Sequence, residues 1–257
     1  MVKSHMFSGV FPEGCFVRVG DGLYVASPEF CFLQMAEAMP LVKLVELGFE
    51  LCGSYAISRI ARNAATQATA EGPTDKGFLS RKPRTNIKKL SAFIERMAGA
   101  SGQRPASRAL QYISDGSASP METKLTMFLT LPYRFGGYGL PMPELNTEID
   151  PSKKAKQGSS QTAFFCDLFW PEANVVAEYD SEMFHEGAKR ITKDSKRRNT
   201  LMSTGLLVIT VTKDQIYNII EFEKLAKLIA INLDIRLRNQ ENRNFPKARF
   251  ELRKLLL

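Results

Sequence analysis

A chain of 257 residues with 44% apolar and 24% charged side chains is long enough to bury a sizeable core, which excludes a disordered or low-complexity protein. Lys and Arg outnumber Asp and Glu by 35 to 27, and the resulting charge of +8 suits a polyanionic partner such as nucleic acid or an anionic surface. Cys15, Cys31, Cys52 and Cys166 form no C-x-x-C pair, no stretch approaches about 18 apolar residues, and residues 1–10 hold no apolar leader; a disulfide-stapled secreted domain and a membrane span are therefore not expected, and a cytoplasmic protein with reduced thiols is.

Residues 16–25 carry two apolar runs around Gly20-Asp21-Gly22, the pattern of a hairpin. Ser27-Pro28 then caps a helical stretch, residues 30–51, which Pro40 divides in two. Residues 56–67 read as helical and residues 71–86, with Gly72, Pro73, Gly77 and Pro83, as a loop. Ile87, Leu90, Phe93 and Met97 share one face of a helix, and a shorter helix covers residues 107–113.

Beyond this point the pattern changes. Residues 119–130 form a helix, residues 145–149 a strand and residues 151–160 a polar turn. Residues 162–170 and 175–180 are strands joined by a short turn, and residues 189–203 a helix ended by Gly205. Residues 206–211 form a buried strand, followed by a long amphipathic helix over residues 214–239. No internal repeat is visible. The expected organisation is a mixed α/β (α+β) chain: a mostly helical region with one hairpin over residues 1–115, then an α-β-β-β-α-β-α region over residues 116–257.

The chemistry concentrates in the second region. Strand alternation puts Phe165, Asp167 and Phe169 on one face, and Val176, Glu178 and Asp180 on one face of the next strand. A tight connection brings Asp167 and Glu178 together, with Asp180 roughly 6–7 Å further along. Charges set among Phe, Val and Ala are costly unless compensated, and Mg²⁺ (or Mn²⁺), which takes a few carboxylate oxygens plus water and phosphate, would compensate them. The competing reading has strand-end acids pointing into solvent. Glu122, in Ser119-Pro120-Met121-Glu122, reads either as a capping-box acid or as an acid beside the metal. His185 is an ordinary loop histidine or a group that orients water and carries a proton. Residues 189–198 are six-tenths basic: a solvated helix face, or a phosphate track in which Lys189, Arg190, Lys193, Arg197 and Arg198 hold a nucleic-acid backbone.

Taken in order, these blocks resemble a known family. An early helical Glu is followed by Asp167-Leu168-Phe169-Trp170-Pro171-Glu172, then Val175-Val176-Ala177-Glu178-Tyr179-Asp180, then His185, Asp194-x-x-Arg197-Arg198 and Gly205-Leu206-Leu207-Val208. This is similar to the PD-(D/E)xK nuclease superfamily, in particular to bacterial proteins related to very-short-patch repair endonucleases, over about residues 117–215. The stretch from Gly22 to Pro28 also looks like what precedes this domain in actinobacterial relatives, some of which carry an antitoxin-like winged-helix domain there. Two positions depart from the common patterns: Asp180 stands where many nucleases of this fold have Lys, and Ser181 where the relatives usually have Gly.

The resemblance implies a restriction-endonuclease-like core (α-β-β-β-α-β) and a metal-dependent DNA endonuclease acting in repair or in defence against foreign DNA. In it Asp167 and Glu178 hold the metal, Asp180 or His185 serves the water, and Glu122 supports the metal shell. DNA is the expected partner, a membrane is not, and a protein partner or homodimer is left open. The rival readings are a non-catalytic DNA-binding regulator or antitoxin-like protein on a nuclease scaffold, and an interaction protein whose basic face serves solubility.

Overall fold

The computed structural model describes residues 11–57, 77–149, 164–180, 205–238 and 243–257. The expected hairpin is β1 (Phe16–Gly20) against antiparallel β2 (Leu23–Ala26), turning at Gly22 with φ +69°. Ser27 starts α1 (Pro28–Ala38) by accepting the Phe30 N–H at 3.2 Å, and the extended backbone at Pro40 separates it from α2 (Leu41–Cys52). In the described part of residues 56–67 the chain is strand, not helix. Here β3 (Tyr55–Ile57) pairs with β4 (Phe78–Ser80), which falls inside the segment expected as loop. Three-residue strands closed by a long excursion leave no periodic signal, so the sequence could not reveal this pair.

Asn86 accepts the Lys89 N–H to cap α3 (Ile87–Arg96), α4 spans Gln103–Leu110, and Ser119 caps α5 (Pro120–Thr130). The expected start of α4 at residue 107 is four residues late, because Gly102 with φ +82° opens the helix with no capping side chain to mark it.

One four-stranded sheet follows, in the order β5 (Glu144–Ile149), β6 (Phe164–Trp170), β7 (Val175–Asp180), β8 (Leu207–Thr212). The first two pairings are antiparallel and the last is parallel. A parallel pair needs a long crossover, and it runs through residues 181–204, where the expected helix over residues 189–203 lies outside the described residues.

After β8 the chain makes α6 (Lys213–Tyr217), α7 (Ile219–Asn232) and α8 (Phe245–Leu256). The single long helix expected here is broken at Asn218, whose side chain accepts the Ile220 and Glu221 N–H groups at 2.9 and 3.2 Å and so begins a new helix instead of continuing the old one. The sequence reading did not include α8.

One contiguous cluster of buried residues runs through both halves, from Phe30, Leu44 and Phe49 through Leu125 and Phe128 to Leu168, Ala177, Val211, Phe222 and Leu256. Leu168, Trp170, Val175, Ala177 and Val211 face it from the sheet, while Ile149, Cys166, Phe169, Val176 and Leu206 form a second, smaller cluster. Arg253 of α8 is buried at 8% exposure with its guanidinium 5.3 and 5.8 Å from the Phe128 and Phe222 rings and a hydrogen bond to the Ile216 carbonyl. Among the described residues no helix is long and apolar enough to cross a membrane. All four cysteines are free thiols.

Helix α8 lies against Gly136, where φ is +89° and a Cβ would run into the Ala248 carbonyl. Gly136→Ala therefore combines a left-handed alanine with overpacking, and is expected to cost about 2–4 kcal/mol in urea unfolding.

Candidate active site

Beyond its first turn, helix α5 is buried on every side, from Leu125 to Thr130. Leu125, Met127, Phe128 and Leu129 join the core, but Glu122, in the first turn, is also buried, at 8% exposure. Ser119 accepts the Glu122 N–H at 3.2 Å, as a capping residue should. The reciprocal half of a capping box is absent. The Glu122 carboxylate takes the Ala118 N–H at 2.9 Å instead of that of Ser119, and its same oxygen accepts from Asn146 Nδ2 at 2.7 Å. Asn146 also donates to the Gly116 carbonyl at 2.9 Å, so β5 is tied to the loop before α5. Gly116 permits this approach: its φ is +94° and a Cβ would lie 2.7 Å from the Leu145 carbonyl oxygen.

Asp167 sits where the strand ladder is interrupted. The β5–β6 register pairs Thr147 with Cys166 and Leu145 with Leu168, passing over Asn146 and Asp167, and the β6–β7 register begins only at Leu168 and Ala177. Asn146 has φ +48°. The side-chain alternation expected along β6 breaks at the same place: Leu168 packs into the main core, whereas Cys166, two residues earlier, belongs to the second cluster with Phe169. The register is the same on either side, so the ladder skips this pair without an inserted residue. Here the half-buried Asp167 turns its carboxylate to the β7 backbone and accepts the Tyr179 N–H at 2.8 Å.

That bond places Asp167 beside the peptide that follows Glu178. Glu178 and Asp180 are half-buried near the end of β7 and pair in register with Thr210 and Thr212 of β8. Asp167 also reaches Glu122 electrostatically. Burial pushes the Glu122 pKa above the ordinary carboxylate range, and the negative charge of Asp167 pushes it further; the bonds from Ala118, Asn146 and Ser119 oppose this without cancelling it. Glu122 and Asp167, expected from sequence as members of one site, are thus neighbours in space.

The remaining expected residues, His185, Lys189, Arg190, Lys193, Arg197 and Arg198, lie outside the described residues. Two participants were not foreseen. Asn146 carries a weak signal, since Asn is a poor strand former. The Tyr179 amide carries none, because a backbone donor is independent of residue type.

Among the described residues no three His, Cys, Asp or Glu side chains converge as a ready-made metal cage. What the region offers is hard oxygen donors: a buried carboxylate within electrostatic reach of a second one, with Glu178 on the neighbouring strand. That donor chemistry suits Mg²⁺, which binds through one or two carboxylates and keeps the rest of its shell for water and phosphate.

No family model matches the chain, and no solved structure does. It is similar to uncharacterized protein Rv2248 of Mycobacterium tuberculosis (strain ATCC 25618 / H37Rv) and uncharacterized protein MT2308 of Mycobacterium tuberculosis (strain CDC 1551 / Oshkosh). Each is 29% identical over 130 residues, which is 50% of this chain and 42% of the relative. The chain therefore spans less than half the length of the curated relatives it matches.

The raised Glu122 pKa means that the folded chain binds this proton more tightly than the unfolded chain, so stability declines as pH rises from the ordinary carboxylate range through the raised value. Glu122→Gln keeps an oxygen for Ala118 and Asn146 and removes the charge. Its melting temperature is expected to exceed that of wild type at about pH 8 and to match it at about pH 4. A loss of equal size at both, in a differential scanning fluorimetry series, would contradict the assignment.

Proposed function

We propose that this protein is a metal-dependent deoxyribonuclease that hydrolyses phosphodiester bonds on a restriction-endonuclease-like core. The observation that carries the reading is the buried Glu122 carboxylate within electrostatic reach of Asp167, whose own carboxylate takes the Tyr179 amide next to Glu178. The sheet supports it, since helix α5 precedes three antiparallel strands and the fourth strand returns parallel to the third. So does the order of the sequence blocks.

On this reading Asp167 and Glu178 are the ligands of Mg²⁺ (or Mn²⁺), and Glu122, fixed by Ala118 and Asn146, adds negative charge behind them. When bound there, such an ion would supply Lewis-acid polarisation of a phosphate and a lowered pKa for water. Asp180 or His185 would orient the attacking water or accept its proton. The Tyr179 amide donates to Asp167 and helps to position its carboxylate. Lys189, Arg190, Lys193, Arg197 and Arg198 grip the phosphates on either side of the cut.

Supercoiled plasmid is expected to be nicked with Mg²⁺ or Mn²⁺ and left intact with EDTA. Asp167→Ala and Glu178→Ala should each slow nicking by about 100-fold or more, beyond what loss of an outer-shell group does. Added Mg²⁺ should raise the melting temperature of wild type but not of Asp167→Ala. Wild-type protein that retards DNA without cutting it in either metal would replace this reading with a non-catalytic DNA-binding regulator.

A further inference from the structure

The segment from Arg81 to Lys89 was expected to be loop and the start of a helix, and its charges took no part in the sequence reading. It holds five cations. Arg81 is engaged, donating to the Glu50 carbonyl at 2.6 Å and the Lys82 carbonyl at 2.9 Å. Lys82, Arg84, Lys88 and Lys89 are exposed, and none of the four makes an ion pair among the described residues. The nearby acids are otherwise occupied. The Asp115 carboxylate accepts the Ile87 N–H at 2.9 Å, Glu29 accepts from the Thr85 hydroxyl, and Glu50 accepts the Ile57 N–H at 3.0 Å.

The backbone of this segment is fastened to the loop that precedes α5, whose Ala118 amide Glu122 accepts. The Arg81 N–H donates to the Ser54 carbonyl, and the Ser54 N–H to the Ser117 carbonyl, both at 2.8 Å. The Arg84 and Thr85 N–H groups both go to the Leu51 carbonyl. Ile87 bonds to Asp115, one residue before the Gly116 carbonyl that Asn146 holds and three before the Ala118 amide that Glu122 holds. A few covalent and hydrogen-bonded steps therefore separate the four cations from the carboxylate site.

We propose that Lys82, Arg84, Lys88 and Lys89 form a phosphate-binding surface that holds the DNA backbone beside the cleavage site, independently of the basic run at residues 189–198. Flexible, unpaired Lys and Arg side chains bind backbone phosphates as point charges and release condensed counterions. The surface carries no base-reading geometry, so it supplies affinity and position without sequence preference. The proposal rests on the deoxyribonuclease reading for the identity of the polyanion.

The test is fluorescence anisotropy of a labelled 30-base-pair duplex with the full chain in EDTA, over a series of NaCl concentrations. The comparison is between wild type, the fourfold Lys82→Ala/Arg84→Ala/Lys88→Ala/Lys89→Ala variant, and the fourfold variant in which the three lysines become Arg and Arg84 becomes Lys. Loss of four phosphate contacts should flatten the slope of log affinity against log salt by about 3–4. The charge-conserving variant should keep the wild-type slope, which separates lost charge from lost folding, as does an unchanged thermal melt. An unchanged slope in the alanine variant overturns the proposal. So does a variant that loses binding to vesicles of phosphatidylserine while keeping its duplex affinity, since the surface would then serve a lipid. A wild type that binds duplex through these residues but never nicks plasmid leaves the surface standing and removes the hydrolase reading; a wild type that nicks while the slope is unmoved does the reverse.

Discussion

A carboxylate taken out of water must find donors or an opposite charge, and the way Glu122 meets that requirement organises the centre of this protein. Two donors reach it, the Ala118 amide and the Asn146 side chain, and they arrive from different parts of the chain. The first fixes the loop before α5. The second forces β5 to bend, because Asn146 adopts φ +48° to point its amide at both Glu122 and the Gly116 carbonyl. Donors alone do not settle the charge, since Asp167 is close enough to push the Glu122 proton affinity up. An acid buried within reach of a second acid is costly for stability, and the donors around Glu122 offset part of that cost.

The same arrangement explains why the sheet is irregular at one place. Regular pairing would commit the backbone of Asn146 and of Asp167 to the ladder. Instead both positions are skipped, and the Asp167 side chain takes a β7 amide. Buried apolar residues change clusters across this point, from Cys166 and Ile149 on one side to Leu168 and Leu145 on the other. The departure from strand alternation falls at Asn146 and Asp167, beside the candidate site.

Much of the C-terminal fold was legible in the sequence because its signals are local. Ser119-Pro120 announces α5, and the apolar runs of β6, β7 and β8 stand between clear turns, so their order and approximate limits could be read directly. The elements that escaped lack such signals. β3 and β4 are three residues each and pair across a long excursion, and the α6–α7 break depends on a single Asn side chain choosing the next helix over the last. For the site, the acids could be picked out by residue type and by the apolar residues around them. Their partners could not. That Glu122 bonds to Ala118 instead of closing a capping box, and that Asn146 reaches it from 24 residues away, are facts of tertiary packing with no counterpart in periodicity.

The N-terminal half bears on the same centre. The buried Tyr55 hydroxyl lies 2.9 Å from Thr123 Oγ1, which lies 2.8 Å from Ser117 Oγ, so β3, α5 and the loop before it share one chain of hydroxyls. Burial holds the Tyr55 phenol in its neutral form, suited to hydrogen bonding and not to charge. With Ser54 and Ile87 bonded to Ser117 and Asp115 as well, the loop before α5 cannot shift without disturbing the helices around it. This matters electrostatically on the hydrolase reading. A cluster of acids repels a phosphodiester, and a cation at the centre offsets that repulsion only locally. Fixed positive charge must flank the acids to bring the backbone in and hold it. The chain supplies basic segments before and after its acids in sequence, residues 81–89 and 189–198, and anchors the first of them to the loop that leads into the helix of Glu122. Anchoring turns a general excess of positive charge into a positioned one, which is the difference between attracting a polyanion and aligning it.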